Sequence, residues 1–340
     1  MLPYGKRAQA ADKREINVNN KTNSAEKGKN YIGIDIGGTS IKGIIIKRDG
    51  TVLGRHTVTT GTDDGDVLCG NIAEITENLL TSVGGSAADV EGVGIGCPGL
   101  IDSKNGRVVF AGNLNLKNYP LAKSVSDRVG LPVKITNDAN AAALGEAVFG
   151  AGSAYKDSIL VTLGTGVGGG IVIDGKLFEG GNSAGTEIGH TVIVKDGLQC
   201  TCGRRGCLER YASARALTEQ TKAAMQADKN SKMWKGYDLN TACGKTPFDY
   251  MDSDPAAKAV VDSYLGYLSC GITNLVNVFR PQAVMLGGGV SEQGERLTLP
   301  LQKLVDGEIF AGVDYAPVKI VKAALGNDAG AFGAAALMFD

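Results

Sequence analysis

The sequence predicts an α/β protein built from two similar halves, and three observations carry that prediction. Strand-like runs alternate with stretches of helical spacing, a strand–glycine turn–strand pattern occurs twice, and its second occurrence starts a second cycle of elements. In order, Tyr31 to Ile36 reads as a buried strand, Gly37-Gly38-Thr39 as a turn, and Ser40 to Lys47 as the returning strand. Thr51 to Thr59 continues the alternation, so the start is a hairpin or meander. Apolar residues at Ile72, Ile75, Leu79 and Leu80 predict a helix from about Val67 to Val83. A strand at Val93–Gly96 ends at Pro98-Gly99, and a helix near Leu121–Val129 precedes a strand at Val133–Thr136.

The second cycle begins with strand Ser158–Leu163, a glycine turn, and strand Gly170–Asp174. A long helix from about Asp254 to Phe279 is opened by Asp254-Pro255, a capping residue followed by the residue best suited to a first helical position. It leads to strand Ala283–Leu286 and the triplet Gly287-Gly288-Gly289, and Asn327–Met338 forms an Ala-rich closing helix. The polar segment from Met1 to Asn30 holds no apolar stretch suited to a signal peptide and reads as a disordered tail.

Composition narrows the function classes. With 43% hydrophobic and 21% charged residues the chain resembles an ordinary soluble globular protein, and a net charge of -1 gives no electrostatic case for nucleic acid or an anionic membrane. No run reaches the roughly 20 apolar residues of a membrane span. The seven cysteines are an odd number; Cys69, Cys97, Cys243 and Cys270 are scattered as reduced cytosolic thiols would be. The expected location is therefore the cytoplasm.

The remaining three cysteines are clustered. Glu187-Ile-Gly-His190 is followed after nine residues by Cys200-Thr-Cys202-Gly-Arg-Arg-Gly-Cys207-Leu-Glu209. His190, Cys200, Cys202 and Cys207 form a Cys3His set, which fills all four positions of tetrahedral zinc and leaves no site for an activated water. The expected ion is structural Zn2+, with Gly203 and Gly206 supplying the tight turns of a metal knuckle.

The 49 glycines lie in dense clusters without a collagen period, a pattern suited to phosphate-cradling loops. Gly164-Thr165-Gly166-Val167-Gly168-Gly169-Gly170 formally contains the dinucleotide fingerprint, but that motif must open a helix and strand-like Ile171-Val172-Ile173 follows here. Gly244-Lys245-Thr246 is a decoy as well, because a P-loop needs glycine where Leu239 stands. Two strand–glycine–strand hairpins can instead present backbone N–H groups and hydroxyls to a polyphosphate from both sides, using glycine's close approach and positive φ. Asp35, just before Gly37, Gly38 and Thr39, is then placed to hold the Mg2+ of a nucleotide, directly or through water.

Taken together and in order, Asp35-Ile-Gly-Gly-Thr39, Cys97-Pro-Gly99, Asn137-Asp138-Ala-Asn140, Leu163-Gly-Thr-Gly-Val-Gly-Gly-Gly170, Glu187-Ile-Gly-His190, the cysteine knuckle and Leu286-Gly-Gly-Gly-Val290 resemble the ROK family of sugar kinases and sugar-responsive repressors, and most its bacterial glucokinases. The resemblance runs from Tyr31 to the C-terminus, and the combined Glu-Ile-Gly-His and cysteine patterns are its specific part. It implies an actin-like ATPase (ribonuclease H-like) fold: two α/β domains, 31–148 and 149–326, around a cleft. The C-terminal helix, 327–340, would cross back to complete the first domain.

Alone, Asn137-Asp138 after a strand reads as a helix cap; the resemblance makes Asp138 the catalytic base, taking the proton of the attacking hydroxyl during phosphoryl transfer. It implies a sugar site of Gly99, Asn137, Asp138, Glu187, His190 and Glu209, with one ring nitrogen of His190 on zinc and the other toward the sugar. The nucleotide, ATP with Mg2+, would meet Asp35, Gly37, Gly38, Thr39, Lys42, Gly164, Thr165 and Gly166, and its adenosine the turn Gly287, Gly288, Gly289. Glu91 and Glu146 read as surface or cap residues. The expected activity is 6-phosphorylation of glucose; an N-acylhexosamine such as N-acetylmannosamine or fructose is the alternative substrate, and a non-catalytic sugar-sensing regulator the alternative of a different class. Repressors of the family carry a winged helix-turn-helix, for which residues 1–30 are too short and too poor in apolar residues, so no nucleic-acid or membrane partner is expected. The family pattern favours a homodimer or homotetramer.

Overall fold

The computed structural model describes residues 29–61, 64–183 and 185–339, so the expected tail lies outside the described residues except for Lys29 and Asn30. In the first half, β1 (Asn30–Ile36), β2 (Ser40–Ile46) and β3 (Val52–Thr59) form a meander, followed by α1 (Gly65–Ser82) and β4 (Val90–Cys97). A three-stranded excursion, β5 (Leu100–Asp102), β6 (Arg107–Ala111) and β7 (Leu116–Tyr119), precedes α2 (Leu121–Val129), β8 (Val133–Asn137) and α3 (Asp138–Phe149). The second half holds β9 (Ser158–Leu163), β10 (Val167–Ile173), β11 (Lys176–Phe178), α4 (Glu209–Ala212), α5 (Ala214–Ala227), α6 (Thr246–Tyr250) and α7 (Pro255–Phe279). It closes with β12 (Ala283–Gly287), α8 (Glu295–Glu308), β13 (Lys319–Lys322) and α9 (Ala329–Ala336).

The two five-stranded sheets have one topology. Their orders are β3-β2-β1-β4-β8 and β11-β10-β9-β12-β13, antiparallel at the hairpin edge and parallel elsewhere. Even the register repeats: Asp35 pairs with Gly96 on the parallel side, and Thr162, at the same place in β9, pairs with Gly287. A central strand covered on both faces must be apolar throughout, which is why β1 and β9 read as continuous runs. On one face of the first sheet, α1 buries Leu68, Ile72, Ile75 and Leu79 at spacings of three and four, and Asp64 caps it by accepting from the Asp66 N–H. In the second half, Val261, Leu265 and Leu268 of α7 pack with Ile159 and Val161 of β9.

Between the two sheets lie α3 and α9, packed on each other; α9 also lies on β1 and β4, and α3 on β10. Small residues make this layer possible. A β-carbon on Gly94 would overlap the Ala334 carbonyl, and one on Gly333 the Ala141 carbonyl, so the helices can lie this close only without side chains there. The closing helix is shorter than the sequence suggests, because Gly326–Asp328 forms a separate 3-10 turn ahead of α9. Strand β10 starts three residues before the predicted Gly170, since its glycines pair regularly with β9. Helices α4, α5, α6 and α8 and strands β5–β7, β11 and β13 carry no pattern that announces them in the sequence, and α3 is announced only by its cap at Asn137.

Candidate active site

Parallel strands β1, β4 and β8 end at the same side of the first sheet, and this alignment brings Asp35 and Asp138 together. Asp35 closes β1 beside Lys42 of β2, and Asp138 opens α3 directly after β8. Both line a cavity of about 260 Å³ with Lys42, Thr162, Asn327 and Gly330. Burial, then the charge of Asp138, pushes the Asp35 carboxyl up to about 6, while Lys42 pulls it down and Asp328 adds a further upward push. Burial also raises Asp138, opposed by hydrogen bonds from the Ala139 N–H and Asn137. A carboxylate held above its ordinary range accepts a proton more readily.

Asn137 is both cap and anchor. Its side-chain oxygen accepts from the Ala139 N–H at 2.9 Å, and its amide donates to the Gly99 carbonyl at 3.0 Å. Gly99 has φ +107°, and a β-carbon there would strike the Phe110 carbonyl and Ala111, so the turn needs glycine. Thus Gly99, Asn137 and Asp138 form one rigid edge.

A second cavity of about 360 Å³ shares Ala142, Thr162, Gly326, Asn327 and Ala329 with the first and runs on to Gly287, Gly288 and Gly289. Glycine, alanine and serine make up much of its walls, with Glu146, Leu160 and Glu292 among the larger side chains, a lining that leaves room for a flat base and ribose. Gly288 takes φ +80° against the main chain of Leu163. By contrast, the expected positive φ is absent from the two hairpin turns: Gly37, Gly38, Gly164 and Gly166 all lie outside the left-handed region. Their need for glycine is spatial: a β-carbon on Gly37 would crowd the Ser40 carbonyl and one on Gly166 the Glu209 carboxylate. Gly38 and Gly164 stand open. A larger cavity, of about 890 Å³, lies at the outer edge of the first sheet around Lys47, Arg48 and Gly84 and contains none of the predicted site residues.

The cysteine knuckle folds as its spacing suggests. The ligand atoms of His190, Cys200, Cys202 and Cys207 all lie within 4.8 Å of one another, with Gly203 at φ +90° and Gly206 at φ +82° making the turns. Three thiol sulfurs and an imidazole gathered so closely suit tetrahedral zinc. The Nδ1 of His190 is the nitrogen that faces the knuckle, 3.7 Å from the Cys200 Sγ. Thr186 ties this segment to α3 by donating to the Asn140 side chain at 2.8 Å. Glu187 is exposed, beside the 3-10 turn Ile188–His190. Glu209 opens α4 and accepts the Val167 N–H at 3.1 Å, so the knuckle and the Gly164–Gly166 turn are joined through one carboxylate.

Two glutamates outside the predicted set matter. Glu146, expected at the surface or in a cap, is fully buried and accepts three backbone N–H bonds, because α3 is covered on several sides. Glu179, just after β11, accepts from the hydroxyls of Thr136 at 2.5 Å and Ser103 at 2.7 Å and so links the two halves beside the Asn137 edge. A glutamate in an otherwise Ala-rich helix was the available signal for the first; nothing marked the second.

With this geometry in place, comparison with known proteins is direct. The chain belongs to the ROK family, whose model matches residues 31–340. It is 39% identical over 308 residues to a glucokinase of Halalkalibacterium halodurans, covering 89% of this chain and 93% of that one. A xylose repressor of Bacillus subtilis is 30% identical, covering 91% of this chain and 77% of the repressor. Among solved structures, a ROK family glucokinase from Streptomyces griseus in complex with glucose and AMPPNP superposes with a TM-score of 0.74 at 37% identity, covering 91% of this chain and 98% of that chain.

Proposed function

We propose that this chain transfers the γ-phosphoryl group of Mg-ATP to the 6-hydroxyl of glucose, with Asp138 as general base. The coarser statement, an ATP-dependent sugar kinase, stands on its glucokinase relatives and on the related structure holding glucose and AMPPNP. The observation that carries the finer reading is the pair of half-buried carboxylates, Asp35 and Asp138, facing one cavity with Lys42. Phosphoryl transfer asks for positioning and charge compensation more than covalent help. Asp138 would accept the hydroxyl proton as the oxygen attacks. Asp35 would hold Mg2+, which supplies neutralisation of phosphate charge when bound, and Lys42 would meet a phosphate oxygen.

The sugar would lie between the Gly99–Asn137–Asp138 edge and the knuckle wall of Glu187, His190 and Glu209. Zinc on Cys200, Cys202, Cys207 and the Nδ1 of His190 would fix that ring's tautomer and orientation, leaving the other nitrogen as a defined partner for a hydroxyl. The phosphates would lie between the turns of Gly37, Gly38, Thr39 and Gly164, Thr165, Gly166, and the adenosine against Gly287, Gly288 and Gly289. We read 31–148, completed by 327–340, as one domain and 149–326 as the other, in a cytoplasmic homodimer or homotetramer. Among the described residues no helix is long and apolar enough to cross a membrane.

A regulator of the same family, a homologue of the E. coli Mlc protein, superposes with a TM-score of 0.79 at 27% identity, and this likeness favours a second reading as a sugar sensor. Assays of sugar-phosphate formation on glucose, mannose, fructose, N-acetylglucosamine and N-acetylmannosamine, with ATP or polyphosphate as donor, decide between them. Turnover fastest on glucose with ATP supports the proposal; preference for another sugar corrects the substrate. No turnover on any of them, with sugar-controlled binding to operator DNA, supports the sensor.

A further inference from the structure

The main chain passes between the two sheets through residues 150–157, after α3, and 323–328, before α9. Both crossovers meet at one side chain. Glu146, fully buried near the end of α3, accepts the Ala151 N–H at 2.9 Å from the first crossover. From the second it accepts the Ala324 N–H at 2.9 Å and the Leu325 N–H at 2.7 Å. Its own carbonyl accepts from Gly150 at 3.1 Å and Gly152 at 2.9 Å. The carboxylate also borders the cavity of Gly287–Gly289.

We propose that Glu146 is a positioning residue that pins the two crossovers together, so that the two halves, each of which faces both sugar and nucleotide, close as one step. Two strands of main chain joining two lobes can bend independently, and independent bending would let either ligand bind without aligning the other. A shared acceptor makes the two segments move together. One oxygen, Oε2, accepts from both crossovers, at Ala151 and Ala324, and Oε1 adds the bond from Leu325 of the second. Glu146→Ala removes both acceptors and leaves buried N–H groups of both crossovers without their partner, whereas the amide oxygen of Glu146→Gln can still take the Oε2 position. The residue touches neither reacting group, so its effect falls on coupling between ligands.

This inference rests on the kinase reading, and its test separates the two. Binding of AMPPNP with Mg2+ is titrated with and without saturating glucose. In the wild type glucose should tighten the nucleotide by about tenfold, within the usual span of coupling between sites. In Glu146→Ala that ratio should fall to within about twofold of one, with glucose alone bound within about threefold of wild type and kcat reduced more than KM is changed. A variant that keeps the wild-type ratio, or a wild type without coupling, overturns the pin. Should the variant not fold, hydrogen exchange on the wild type decides. The Ala151, Ala324 and Leu325 amides should share one protection class and change together when glucose and AMPPNP are added; independent exchange overturns the proposal. A wild type that consumes no ATP on any hexose, yet shows joint exchange, defeats the kinase reading and leaves the pin standing.

Discussion

The ends of β1 and β9 occupy the same place in two sheets of identical order, yet one carries Asp35 and the other Thr162. Both line the same cavity. The first turn therefore brings a half-buried carboxylate with a lysine beside it, and the second a neutral hydroxyl followed by glycines. The frame is symmetric and its chemistry is not: on the proposed reading, the charge on one side would serve a cation and the uncharged main chain on the other phosphate oxygens. The second turn has a support the first lacks, the Glu209 carboxylate on the Val167 N–H. This ties the phosphate side to the metal knuckle.

If the asymmetry is functional, Asp35→Asn should cost far more than the matching change in the second half. Loss of a group that organises the metal should lower kcat by about 100-fold or more in steady-state assays, with Mg2+ dependence moved to higher concentration. The same residue should be visible in stability. Its carboxyl is raised from 3.8 to about 6, so its contribution is fully present below the unfolded value and is lost as pH rises through about 6. Denaturant titrations of the Mg2+-free protein should therefore lose about 2 kcal/mol from this group between pH 4 and 7, and Asp35→Asn should flatten that slope. A third change tests the support of the second turn. Cys202→Ser should release zinc, read by elemental analysis, and weaken glucose binding by about tenfold in calorimetry through movement of His190 and Glu209. The smallest effect is expected for Thr162→Val, which keeps shape and loses one hydroxyl: a few-fold rise in KM for ATP, with kcat nearly unchanged. Equal losses for Asp35→Asn and Thr162→Val would remove the distinction between the two turns.

The comparison also explains what could be read from the chain. Strands β1, β9 and β12 were legible because burial on both faces demands continuous apolar runs. Helix α7 was legible because Asp254-Pro255 is a start signal, and Asp254 does accept from the Ala256 N–H. The knuckle was legible because four ligands must come close together in sequence and turn on glycines. Helix α3 was hidden: its Ala-rich sequence buries several faces at once and shows no one-sided periodicity. Glu146 was misread for the same reason, since a buried carboxylate satisfied by main chain from two distant crossovers leaves no local pattern. Glu179 joins Thr136 and Ser103 across more than 40 residues of sequence, and only the assembled fold places them together.

The role of Asp138 is the centre of the account, and one measurement addresses it. Glucose-dependent ADP release by Asp138→Asn is compared with wild type at saturating ATP and glucose from pH 5 to 9, with glucose affinity measured in parallel. Removal of a general base should lower kcat by about 10² to 10⁴-fold while glucose binds within about threefold of wild type. The wild-type acid limb should lie above the ordinary carboxylate range, because burial raises the group that must be ionised. A variant with kcat within a few-fold of wild type and an unchanged acid limb would contradict the assignment of Asp138 as the base.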